Sequence, residues 1–149
     1  KGRAVYAKGG YLNRILSAKL FKESLEQNFR NNKSLAYLVL LYSEILPEAK
    51  NKLESGNTIF KLITIARADL LTDPILALGA ANFYSYFDKK NTAIYIIETY
   101  LRLNPPTPKL YSKYLDLLIS VGNFVDAKTV FEKLLSAKRK TLPVITPFK

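Results

Sequence analysis

The 149-residue chain carries 23 Lys and Arg against 12 Asp and Glu, a formal net charge of +11, and it contains no Cys, His, Met or Trp. Without Cys or His it cannot build the usual zinc sites, close a disulfide, or run imidazole- or thiol-based catalysis. Binding, not chemistry, is therefore the expected work: no enzyme, no cofactor and no metal.

Hydrophobic residues make up 48% of the chain and charged residues 23%, an ordinary globular balance. The longest uncharged stretch, 74–87, has 14 residues and is too short to span a bilayer as a helix. Apolar residues recur at spacings of three and four, with Gly and Pro between the runs, which predicts an all-α chain. No alternating apolar–polar run bounded by turn residues competes with that reading.

In chain order, helices are expected at 11–29, 34–46, 48–54, 58–70, 74–87, 92–103, 108–121 and 124–137. Residues 1–10 read as a flexible basic segment in which Lys1, Arg3 and Lys8 alternate with Tyr6 before Gly9-Gly10. Pro47 and the pair Pro105-Pro106 stop the helices before them. Asp73-Pro74 and Thr107-Pro108 each put a capping side chain before a proline at the first helical position. Asn123, followed by Asp126, and Asn91 are further caps. The segment 141–149 has two prolines and no helical period, so it reads as an extended tail.

The chain also repeats. At an offset of 34 residues Leu76 falls on Leu110, Phe83 on Leu117, Asp88 on Gly122, Ala93 on Ala127, Ile97 on Phe131 and Tyr100 on Leu134. One step earlier, Asn57-Thr58-Ile59 falls on Asn91-Thr92-Ala93 and Ile63 on Ile97. A period near 34 made of paired helices is the signature of an α-solenoid, here expected to be right-handed, in which neighbouring pairs bury a shared core. Alanine at 93 and 127 suits a crossing between the two helices of a pair, and Gly122 suits a left-handed helix end. This divides the chain into a basic segment 1–33 that fits the repeat only as a degenerate helical unit, repeats at 34–140, and the tail 141–149.

The run Tyr111, Leu115, Leu118, Gly122, Ala127, Phe131 resembles the tetratricopeptide and pentatricopeptide (TPR/PPR) helical-repeat superfamily. Pro105, twelve residues after Ala93, is similar to the closing proline of a tetratricopeptide unit. The last unit, with Tyr111, Gly122, Ala127, Phe131 and a late Pro143, is more similar to the pentatricopeptide pattern. That resemblance implies a non-catalytic protein of RNA metabolism or translation, in a mitochondrial or plastid setting. Lys113 stands where base-reading repeats carry a small polar residue, so it implies phosphate contacts instead of base reading.

Charge is uneven along the chain. Residues 1–33 hold eight basic and two acidic side chains, 34–72 four of each, 73–106 three of each, and 107–149 eight and three. Candidate contacts with RNA phosphates or an acidic partner are therefore Lys1, Arg3, Lys8, Lys109, Lys113, Lys138, Arg139 and Lys140. The last three also suit a helix C-terminus, where the macrodipole favours cations. The neutral middle supports a second expectation, a scaffold that holds a partner peptide or helix in its groove. The tyrosines at 84, 86, 95, 100, 111 and 114 sit at helical spacing and are expected in or beside the core.

Overall fold

A computed structural model describes residues 2–7, 9–27, 32–105 and 107–141. Among them every regular element is helical: α1 (Gly2–Ala7), α2 (Tyr11–Gln27), α3 (Asn32–Ile45), α4 (Lys52–Ala66), α5 (Pro74–Tyr86), α6 (Lys90–Leu103), α7 (Pro108–Ser120) and α8 (Phe124–Thr141). Short 3-10 turns at Leu46–Glu48 and Arg67–Asp69 follow α3 and α4. The chain divides into two compact units, Lys1–Asn104 and Pro105–Lys149. The division falls at the Pro105-Pro106 pair.

In the first unit α1 packs on α2, α2 on α3, α3 on both α4 and α5, and α5 on α6. The core lies on α3, where Val39, Leu40 and Leu41 are fully buried. Each such side chain removed from water contributes about 1.5–3 kcal/mol. Facing it, α5 is lined with small residues, and Ala77, Ala80 and Ala81 are also fully buried. Gly79 marks the closest approach. A Cβ built there would stand 2.8 Å from the Leu40 nitrogen and 2.9 Å from its Cα, so only glycine lets the two backbones meet. A part-buried polar link crosses the same interface: Asn82 Nδ2 donates to Ser43 Oγ at 3.3 Å, and Ser43 Oγ donates to the Leu40 carbonyl at 2.6 Å.

In the second unit α7 packs on α8 as a helical hairpin, with Leu110, Leu117 and Leu118 of α7 and Ala127, Val130 and Leu134 of α8 buried. The three α8 positions lie three and four apart, the spacing of one helix face.

The local signals for helix starts held in part. Asp73 Oδ1 accepts from the backbone nitrogens of Ile75 at 2.9 Å and Leu76 at 3.3 Å. Asn123 Oδ1 accepts from Asp126 N at 3.2 Å while its amide donates to Asp126 Oδ2 at 2.8 Å. Thr107 precedes Pro108 as expected but makes no capping bond, and its hydroxyl is buried without a partner. Asn91 is not a cap: α6 already begins at Lys90, with Lys89 in the capping position.

Three expectations about helix extent are corrected. Residues 2–7 form α1 instead of a flexible segment, because Gly2 sits beneath the Phe21 ring and Ser17 Oγ donates to the Gly2 carbonyl at 2.6 Å. The separate helices expected at 48–54 and 58–70 are one, α4, which runs through Gly56. Thr141 belongs to α8 and not to the tail, and the rest of the expected tail, 142–149, lies outside the described residues.

Candidate functional site

The expected cationic residues are divided between the two units. Lys1 and Lys8 lie outside the described residues. Arg3 is exposed on α1, where it lines an open cleft of about 400 Å³ together with Lys33, Asp69 and Asp73. Two carboxylates on the same cleft offset the two cations, so its field is mixed. Tyr6, which alternates with Lys1, Arg3 and Lys8 in the sequence, is engaged within the first unit. Its hydroxyl donates to Glu44 Oε1 at 2.7 Å and its ring meets Tyr37 edge-on at 6.1 Å. Arg14 completes this contact, with Nε 3.0 Å from Glu44 Oε2. Burial, then the bond and charge of Glu44, push the Tyr6 phenol well above its ordinary value, against a smaller opposing pull from Arg14.

The remaining cations fall in the second unit. Lys109 is exposed on α7. Lys113 is half-buried, and burial lowers its pKa, partly offset by Asp116. Lys138, Arg139 and Lys140 close α8 as backbone, and their side chains lie outside the described residues. Sequence reasoning passed over the exposed face of α8. Phe124 is 66% exposed and Phe131 47%, and Lys128 lies exposed between them. These positions are four and three residues apart, so they share one face. Phe131 breaks the repeat here, because its counterpart Ile97 is buried. The α8 face offers two aromatic rings with a cation between them, beside a shallow depression lined also by Val125 and Glu132.

A different surface lies in the first unit. Between α4 and α5 runs an open groove of about 410 Å³. Leu53 and Phe60 of α4 form one wall, 72% and 51% exposed. Phe83 of α5 and Phe87, the residue just after it, form the other, with Lys89 at the mouth. The rings are in mutual contact, with centroids 6.5 Å apart for Phe60–Phe83 and 5.3 Å for Phe83–Phe87. Gly56 is part of this geometry. A Cβ there would come within 2.6 Å of the Phe87 ring, so the glycine lets that ring settle against α4.

The tyrosines divide. Tyr100 is buried; Tyr84, Tyr111 and Tyr114 are half-buried; Tyr86 and Tyr95 are exposed, against the expectation of core or edge-of-core positions. No described helix is long and apolar enough to cross a membrane, and the described residues contain no cluster of acidic side chains suited to a metal ion. No family model, curated protein or solved structure matches this chain.

Proposed function

We propose that this chain is a non-catalytic helical-repeat protein of the TPR/PPR type that serves a ribonucleoprotein or translation system and contacts RNA mainly through phosphates. The observation that carries the reading is the α8 face: Lys128 between exposed Phe124 and Phe131, in a unit with eight basic and three acidic residues. Cations neutralise phosphates and exposed rings stack on unpaired bases, the combination that single-stranded nucleic acids bind. The repeat supports the architecture. Helices α5 and α7 begin at Pro74 and Pro108, and α6 and α8 at Lys90 and Phe124, the same 34-residue step in both cases. Ile59, Ala93 and Ala127 are all buried, as a solenoid of equivalent pairs requires. A mitochondrial setting is part of the proposal and rests on the resemblance alone.

The test is a titration with labelled single-stranded RNA at several salt concentrations. About six phosphate contacts give log K a slope of roughly −4 against log[salt]. Replacing Lys138, Arg139 and Lys140 with Gln lowers that slope by roughly two units. A flat or absent response overturns the RNA reading.

One observation favours a second reading, a scaffold for a protein partner. The groove between α4 and α5 is apolar and aromatic, with a single cation at its mouth, and lies in the part of the chain whose charge balances. Apolar surface held open in this way is a mark of protein interaction.

A further inference from the structure

Leu53 and Phe60 are seven residues apart on one helix, about 10 Å along its axis, or two turns. Two turns is the distance between the i and i+7 anchors of a helix lying in a groove. The floor between them is built, not accidental. Gly56 lacks the side chain that would push the Phe87 ring away, and Phe83 links the Phe60 and Phe87 rings. The volume of about 410 Å³ falls in the range of roughly 300–1,000 Å³ typical of binding clefts. No carboxylate lines the groove. Lys89 stands at its mouth, and Lys61, one turn after the lining residue Asn57, is exposed. Of the nearby acids, Glu54 Oε2 accepts from Asn51 Nδ2 at 3.4 Å at the start of α4, and Asp88, next to Lys89, is exposed and does not line the groove.

We propose that this groove docks an amphipathic helix of a protein partner, seating apolar side chains two turns apart between α4 and α5 and setting acidic side chains over Lys61 and Lys89. The assignment rests on the scaffold reading and is independent of RNA binding by α8. It differs from a general apolar patch in predicting a charge preference.

Two fluorescein-labelled synthetic helices test it against the full chain by anisotropy at fixed salt. Both carry Leu at i, i+3 and i+7, one with Glu and the other with Lys on the flanks. The Glu peptide is expected to bind about tenfold tighter than its Lys twin, with the preference reversed by Lys89→Glu. Phe60→Ala and, separately, Leu53→Asp should each weaken the Glu peptide about tenfold. Both side chains are largely exposed, so circular dichroism should be unchanged. Binding of the Glu peptide that ignores both α4 variants overturns the groove and leaves the scaffold reading intact. Equal binding of the two peptides overturns the acidic partner. Binding of neither overturns the proposal and sends the scaffold reading to another surface.

Discussion

Asp88 and Gly122, 34 residues apart, hold the same left-handed backbone, with φ of 62° and 82°. Each follows the end of a helix, and the next residue bonds back five positions: Lys89 N to the Tyr84 carbonyl at 2.8 Å, Asn123 N to the Leu118 carbonyl at 2.9 Å. This six-residue closure satisfies the last helical carbonyls and sets the entry of the following helix. The two hairpins are therefore turned by one device, with glycine in one copy and aspartate in the other. Nothing stands within 4 Å of a Cβ placed at Gly122, so Gly122→Ala adds backbone strain and no clash. It should cost about 1 kcal/mol, read as a lower urea midpoint at unchanged slope. An unchanged midpoint contradicts the left-handed turn.

Gly79 and Gly56 separate two reasons for glycine inside a helix. The Cβ of Gly79→Ala would meet the backbone of Leu40, which cannot move without parting α3 and α5. A loss of about 1–3 kcal/mol is expected, in spite of the better helix propensity of alanine. The Cβ of Gly56→Ala would meet only the end of the Phe87 ring, which can rotate away into the open groove. That variant should lose much less. Equal losses in urea melts would show that the α3–α5 approach is not the tighter contact.

The two Pro-led helix starts make a second paired test. Asp73→Ala removes bonds to two backbone nitrogens and should cost about 1 kcal/mol. Thr107→Ala removes no capping bond, only a buried hydroxyl without a partner, and should cost close to nothing. Comparable thermal shifts for the two would mean that Thr107 caps α7 after all.

Tyr6 gives stability an alkaline limit. Its phenol is held protonated by burial and by the bond to Glu44, so its folded pKa lies above the unfolded value of about 10. Tyr42 is raised in the same direction by burial. A raised folded pKa means that the stabilisation is complete below about pH 10 and is lost as pH climbs beyond it, because the unfolded chain then releases protons first. Urea midpoints of the native chain and of Tyr6→Phe should run parallel from pH 7 to about 9 and converge above about 10. Curves that stay parallel throughout would detach Tyr6 from the effect.

If α8 contacts RNA as proposed, its aromatic and ionic contributions are separable. Phe124→Ala or Phe131→Ala should weaken single-stranded RNA by about 1–3 kcal/mol and leave the salt slope alone. Lys128→Gln should instead reduce the slope by roughly 0.7. A phenylalanine variant that changes only the slope, or a Lys128 variant that leaves it untouched, would break this division.

Helices α5 to α8 were legible in the amino-acid order because their signals are local, with ends within about two residues except that α8 runs on to Thr141, four residues past its expected end. Proline at the first position, the Asp73 and Asn123 caps and the left-handed Gly122 act within a few residues of the boundary they mark. The 34-residue recurrence was legible for the same reason, since each repeat writes its own pattern of buried positions. Composition settled what the chain lacks: without His or Cys, no imidazole or thiol chemistry is open to it.

What required the tertiary structure was everything set by partners distant in sequence. Helix α1 is held by Ser17 and Phe21. Helix α4 runs unbroken through Gly56, where the local pattern suggested a stop, and that glycine makes room for the Phe87 ring. The cations that looked equivalent along the chain became different: Arg3 shares a cleft with two carboxylates, Lys113 is half-buried, and Lys109 is exposed. Leu53, Phe60, Phe124 and Phe131 fit an apolar helical pattern as well as any core residue does. Periodicity assigns a side chain to a face of its helix. Only the packing of neighbouring helices decides whether that face is covered.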